Sequence, residues 1–383
     1  MKIEAHGYLI ILLGVLILIL AFIFSFLANT SYKEKTTSPQ NILEECNIFQ
    51  YNGEAKINIV FFATQDIVKR YVDFFLSSTP FNEKEKGFNF FYIDDFQPTC
   101  KLYKGIAVLC YSKELIEKAS SCPNDFLVVL SSNNERIRSS AYQNVMSLNI
   151  NHVLTVFLHE FGHVFANFAE EYVPAKLPLG QPNCKGKCSD FIGEIDSCFQ
   201  GCSEEQFHRS VNEGVMRTLS PPDKENPYGI FNSNILRELI LENAEIRFNA
   251  KITGKAALDT EIDCSREKYI LSELSHDGTI INTVKTGCIG SNGNGPYKYA
   301  VFSINGQQIL EGDFNAYLFT AVSKQGSDGE LEGEVFSFEE AGKIYLKIPI
   351  IEGADKLEIK DPEDNIIGTS NILGIGARPC LIE

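Results

Sequence analysis

The sequence predicts an α/β domain followed by an all-β, sandwich-like domain, behind an N-terminal transmembrane helix. Three observations predict it. Strand-like and helix-like apolar runs alternate between residues 57 and 165. Past Ala244 the texture changes to alternating stretches separated by Gly, Asn and Asp turns. At the N-terminus, Tyr8 to Leu27 is an uncharged run interrupted only by Gly14 and Ser25. A helix of that length spans a bilayer core. A cleaved signal peptide is the competing reading, although its apolar stretch is usually shorter. These segments divide the chain into an anchor over 1–28, a linker over 29–55, an α/β domain over 56–243 and an accessory β domain over 244–383.

Each element rests on a local pattern. Asn29 to Gln40 is polar and carries Pro39, which suits a linker. Ile57–Ala63, Phe88–Ile93, Ile106–Tyr111 and Phe126–Leu130 are short apolar runs of strand length. Asp66–Leu76 and Ser112–Ser120 have helical spacing. Arg136 to Asn149 is polar and is expected as a loop plus an exposed edge strand, of the kind to which an extended peptide can add. Residues 174–207 form an irregular, cysteine-bearing insert that is expected to wall a cleft, and Asn234–Asn243 is expected as a helix. In the accessory part, Ile246–Ile252, Tyr299–Ile304, Lys343–Ile348 and Lys356–Ile359 read as strands.

Composition narrows the function classes. Of 383 residues, 44% are hydrophobic, enough for a sizeable core. The formal net charge of -16 argues against nucleic acid as a partner. All eleven cysteines follow the apolar run. Cys100 with Cys110, Cys184 with Cys188, Cys198 with Cys202 and Cys264 with Cys288 lie close in sequence, which suits disulfides in an oxidising compartment. That places the folded part outside the cytoplasm, with the membrane as a partner through the N-terminal helix. One cysteine is left over. The three-residue spacers within Cys184–Cys188 and Cys198–Cys202 favour disulfides over a zinc knuckle.

The chemistry is concentrated in His159-Glu160-Phe161-Gly162-His163. Leu154, Phe157, Leu158, Phe161, Val164 and Phe165 recur at helical spacing around it, with Asn151 as the expected N-cap. Residues four apart share a helix face, so His159 and His163 can present two imidazoles to one metal ion. Glu160 beside them can take a proton from the attacking water. A catalytic zinc site usually has three protein ligands. Glu170 and Glu171 follow the helix closely, and Asn167 can adopt the left-handed turn that would bring a carboxylate back. His208 is a further ligand candidate, and His152 is expected beside the site or at the surface.

The stretch from His159 to Tyr172 resembles the signature of the clostridial IgA metallopeptidase family, in which a His-Glu-Phe-Gly-His core is followed at this spacing by Ala-Asp-Glu-Tyr. Gly214-Val215-Met216-Arg217 resembles the Met-Arg segment of that family, like the methionine turn of metzincin peptidases, which packs beneath the histidines. A looser match in element order, including Cys122-Pro123-Asn124-Asp125, extends the resemblance over roughly residues 56–220. The resemblance implies a metzincin-like zinc endopeptidase domain acting on protein or peptide. It implies Zn2+ held by His159, His163 and Glu170, with Glu160 as general base. Glu170 stands where the family has aspartate, so Glu171 stays open as the third ligand, and Ala166 or Asn167 replaces the usual turn glycine. Tyr172 and Arg217 are the nearby oxyanion-donor candidates, with Tyr172 read first as a structural hydrogen-bond partner. The competing function is a catalytically inactive binding or adhesion protein on a peptidase fold.

Overall fold

Buried apolar runs of strand length need cover on both faces, and three of them build the centre of the largest sheet. They are β2 (Ile57–Phe62), β3 (Phe88–Ile93) and β6 (Phe126–Ser131). The computed structural model describes residues 45–54, 56–252, 263–323 and 331–375. Strands β2, β3, β6 and β8 (Val145–Asn149) pair in parallel. β1 (Asn47–Gln50) pairs antiparallel with β3 on one side. On the other side β7 (Ser139–Tyr142) pairs antiparallel with β8. Between these strands run the hairpin β4 (Lys101–Tyr103) and β5 (Ala107–Leu109), and the helices α1 (Gln65–Leu76) and α2 (Lys113–Ala119). Val68, Tyr71, Val72 and Phe75 form the buried stripe of α1 at three- and four-residue spacing.

Helix α3 (Thr155–Ala166) carries the histidine motif and is buried from Val156 to its end. Aromatic contacts seat it. Phe75 of α1 meets Phe161 edge-on at 5.1 Å, and Phe126 of β6 meets Phe161 and Phe165 at 5.6 Å each. The helix begins at Thr155 rather than after Asn151, because Asn149 turns residues 150–152 back on themselves through the Asn151 N–H. Two short strands, β9 (Phe199–Cys202) and β10 (Glu204–Arg209), lie within the cysteine-bearing insert, and α4 (Gly229–Ile252) follows. Ile246–Ile252, expected as a strand, continues α4 instead.

The C-terminal part supplies β11 (Lys268–Leu274), β12 (Ile280–Thr286), β13 (Tyr297–Ser303), β14 (Gln308–Phe314), β15 (Leu318–Ser323), β16 (Leu331–Phe336), α5 (Phe338–Ala341), β17 (Ile344–Pro349), β18 (Ala354–Lys360) and β19 (Ile366–Asn371). One sheet has the order β12-β11-β17 and another β14-β13-β18-β19. The hairpin β15–β16 joins neither. It extends the large sheet, whose order is β1-β3-β2-β6-β8-β7-β15-β16.

The expected fold class is therefore corrected. An α/β metzincin-like domain followed by a sandwich-like domain does not describe this chain, which is mainly β, with nineteen strands against five α-helices among the described residues. Helix–strand alternation is a local pattern here. The large sheet is completed by strands from the C-terminal half, which no local pattern announces. The expected exposed edge strand is corrected with it, since β7 is buried at all four positions and paired on both sides. The single-pass membrane placement is also withdrawn. Among the described residues no helix is long and apolar enough to cross a membrane, and the apolar run over 8–27 lies outside the described residues.

Candidate metal centre

Helical geometry puts His159 and His163 one turn apart on α3, and their Nε2 atoms lie 3.1 Å from each other. The chain then leaves the helix through Asn167, which is left-handed at φ 51 and ψ 34. This turn returns Glu170 to the helix. One carboxylate oxygen lies 3.3 Å from His159 Nε2 and the other 3.2 Å from His163 Nε2. All three side chains, and Glu160, are fully buried.

The outer nitrogens fix the inner ones. His159 Nδ1 donates to the Val215 carbonyl at 2.9 Å, and His163 Nδ1 to the Phe168 carbonyl at 2.6 Å. With Nδ1 committed as donor, each neutral imidazole turns an Nε2 lone pair inward. The Glu170 oxygens face the two Nε2 atoms and the Tyr172 hydroxyl, and neither oxygen of Glu160 accepts a hydrogen bond. Buried acceptors with no donor are costly, so this convergence needs positive charge at its centre. A His2Glu donor set with a further carboxylate alongside fits zinc.

Electrostatics point the same way. Burial presses the His159 imidazole down, but the Glu170 carboxylate, Glu160 and the Val215 carbonyl override it and lift it to about 9. His163 is held below its ordinary value by burial, with His159 opposing the pull of Glu170. Two imidazoles in contact repel when both are charged, which works against a second charge on His163. Burial raises Glu170, yet the two imidazoles bring it down to about 2. Burial, with the Glu170 charge adding to it and His159 opposing, pushes Glu160 up to about 8. The field that retains a proton on His159 equally favours a divalent cation between the three groups.

Glu171 faces elsewhere. Its Oε1 accepts from Asn232 Nδ2 at 2.8 Å and Asn183 Nδ2 at 3.2 Å, and its backbone N–H donates to the Met216 carbonyl at 2.9 Å. Arg217 Nη1 donates to the Glu171 carbonyl at 3.1 Å, so it secures the chain and does not face the cluster. Tyr172 does face it. Its buried hydroxyl interacts with the Glu170 carboxylate, and burial together with Glu170 and Glu160 holds its pKa far above the ordinary value.

Met216 packs against the same helix. A Cβ on Gly162 would stand 2.7 Å from Met216 Sδ, so only glycine allows this approach. The cysteine-bearing insert clamps the loop that carries Glu170. Asn183 accepts from the Ala169 N–H at 2.7 Å and donates to the Ala169 carbonyl at 2.9 Å, while Ser203 Oγ donates to the Glu170 carbonyl at 2.7 Å. Nothing in the sequence marks Asn183, Ser203 or Asn232, which are single polar residues far from the motif.

Among the described residues five disulfides are formed: Cys46–Cys122, Cys100–Cys110, Cys184–Cys202, Cys188–Cys198 and Cys264–Cys288. The insert is thus cross-linked by nested bridges rather than between its close neighbours. Cys188, Cys198 and His208 also lie near one another, but the bridge uses both sulfurs and removes them as thiolate ligands. Cys380 lies outside the described residues. His152 sits before α3, between Ser139 Oγ and the Glu135 carbonyl at 3.0 Å each, away from the cluster. Compared with known proteins, the chain matches no family model, and no curated protein matches it.

Proposed function

We propose that the protein is a zinc-dependent peptidase that hydrolyses peptide bonds in an oxidising compartment, with His159, His163 and Glu170 as metal ligands and Glu160 as general base. The observation that carries this is the convergence of two inward-turned Nε2 atoms and the Glu170 carboxylate in full burial, with the undonated Glu160 beside them. The resemblance of residues 159–172 to the clostridial IgA metallopeptidase signature supports it, and the five disulfides support the compartment. The two amides that hold Glu171 Oε1 support Glu170 as the third ligand.

When bound, zinc supplies Lewis-acid polarisation of the scissile carbonyl and acidifies a water toward a pKa of ~7. The chain supplies the proton handling. Glu160 takes the proton of the attacking water and returns it to the leaving amine. The Tyr172 hydroxyl, which faces the cluster beside Glu170, donates toward the developing oxyanion. The Val215 and Phe168 carbonyls hold the imidazoles in the ligating tautomer.

Metal analysis of the purified chain tests the ligand set, with one zinc per chain expected and loss of zinc in His159→Ala. Glu160→Gln is expected to keep the zinc and to lower cleavage of a proteome-derived peptide library by roughly 10²-fold or more. A zinc-free wild-type protein, or unchanged cleavage in Glu160→Gln, sinks the proposal.

A further inference from the structure

We propose that β15 occupies the place of the substrate strand, so that the folded chain is latent and its site opens when the β15–β16 hairpin leaves β7. This rests on the peptidase reading above and adds how that site is controlled and what chemistry it accepts.

The placement is specific. Without the hairpin, β7 would be the free edge of the large sheet beside α3. β15 fills that edge in antiparallel register, with Leu318 opposite Tyr142, Phe319 opposite Ala141, Thr320 opposite Ser140 and Ala321 opposite Ser139. Adding a strand to a sheet edge is how extended peptides are commonly held. From this strand Phe319 lies flat on the His163 imidazole, with ring centres 4.0 Å apart and planes at 10°. Phe319 is 1% exposed, and His159, Glu160, His163 and Glu170 are 0% exposed. A scissile carbonyl reaches these groups only when the strand has moved.

The hairpin is fastened from outside the cluster. Arg138, at the start of β7, pairs with Glu332 at 3.1 Å and Glu334 at 3.4 Å across the hairpin. Arg138 is nearly buried while both glutamates are more than half exposed, so the pairs can be exchanged with solvent on the glutamate side. Gly333 between them lies against the Thr320 carbonyl and the Tyr172 hydroxyl so closely that no Cβ fits. The occupant also describes the ligand. Leu-Phe-Thr-Ala-Val-Ser is extended and uncharged, with an aromatic ring on the His163 imidazole. The site takes an extended, uncharged peptide segment bearing a bulky apolar side chain at the position of Phe319.

The test uses the zinc-loaded full chain and two variants. Thr320→Pro removes a backbone donor in the middle of a paired strand and disrupts its ladder. Glu332→Lys with Glu334→Lys reverses the charge facing Arg138 on exposed side chains, and it carries the test if the proline variant does not fold. Two rates are read: transfer of zinc to a chromogenic chelator, and cleavage of the peptide library. Both are expected to rise at least about tenfold in the variants, with zinc content and far-ultraviolet circular dichroism unchanged. Equal rates in wild type and in a folded variant overturn the proposal. Wild-type cleavage that Glu160→Gln abolishes would in that case leave the peptidase reading standing. Faster zinc transfer without cleavage by any variant supports the covering strand and overturns the peptidase reading.

Discussion

His163 is held by the chain that follows it: its Nδ1 donates to the carbonyl of Phe168, beyond the turn that ends its own helix. Asn167 makes that turn in the left-handed region, and its side chain is held by Leu179 and Asn315 at 3.2 and 2.9 Å. The same residue therefore orients one ligand and delivers the next, Glu170. A β-branched residue is strained at this φ by about 1–3 kcal/mol, and each lost hydrogen bond adds about 1 kcal/mol. Asn167→Val is expected to lower both the melting temperature and zinc affinity more than Asn167→Gly, which loses the bonds but not the backbone conformation. Thermal unfolding and a zinc competition titration on both variants decide it. Equal losses would place the effect in the side-chain bonds alone.

The two adjacent glutamates are expected to separate cleanly. Glu170→Gln removes a charged donor from the cluster and is expected to weaken zinc binding by at least about 10²-fold, at or beyond the upper range for an outer-shell partner. Glu171→Gln keeps the shape but turns an acceptor pair into a mixed one against Asn183 and Asn232. Its expected signature is one bound zinc and a stability loss of about 1–3 kcal/mol. Zinc content and urea unfolding of the two variants measure this, and the reverse pattern would exchange the roles of the two residues.

How much of this was legible depends on whether the signal was local. β3 was readable to the residue because Phe88–Ile93 is an apolar run broken only by Asn89, and α2 because Ser112–Ser120 has helical spacing. His159 and His163 were readable because the helix period puts residues four apart on one face, and Glu160 because it sits beside the first histidine in the motif. Glu170 was narrowed only to a pair, since adjacent residues of a loop carry no period. The pairing of β15 with β7 and the clamp by Asn183 are long-range events with no sequence signature, and they are what overturned the exposed edge and the fold class. Ile246–Ile252 misled because a short apolar run reads as strand or helix alike, and α4 runs on through it.

Gly162 is expected to be intolerant of alanine despite lying in a helix. Helix propensity alone favours Gly162→Ala by about 1 kcal/mol. The added Cβ would stand 2.7 Å from Met216 Sδ, 3.2 Å from Phe168 and 3.3 Å from Tyr228, all fully buried. Overpacking of this kind costs about 1–3 kcal/mol, and here it wins because no neighbour can retreat to solvent. Met216→Ala in the Gly162→Ala background is expected to cost less than Met216→Ala alone. A coupling energy below about 0.5 kcal/mol in the four-protein cycle would show that the two residues do not press on each other.

Lys347 makes the protein more stable as pH rises above neutrality. It is 3% exposed on β17; its Nζ donates to Asn124 Oδ1 at 2.6 Å and lies 5.7 Å from the Tyr269 ring centre. Burial drives its pKa from 10.5 down to about 7, and the Asp125 carboxylate only partly opposes this. Between those two values the unfolded chain carries a proton that the folded chain lacks. Stability therefore increases with pH through this window, with a limiting slope of about 1.4 kcal/mol per pH unit, and the penalty is fully present below the folded value. Lys347→Met removes the titrating group and nearly preserves its volume. The expected result is a higher melting temperature at pH 7 than wild type, and a flatter dependence between pH 7 and 9. Parallel melting curves for the two proteins across that range would mean that the ammonium is not desolvated where it sits.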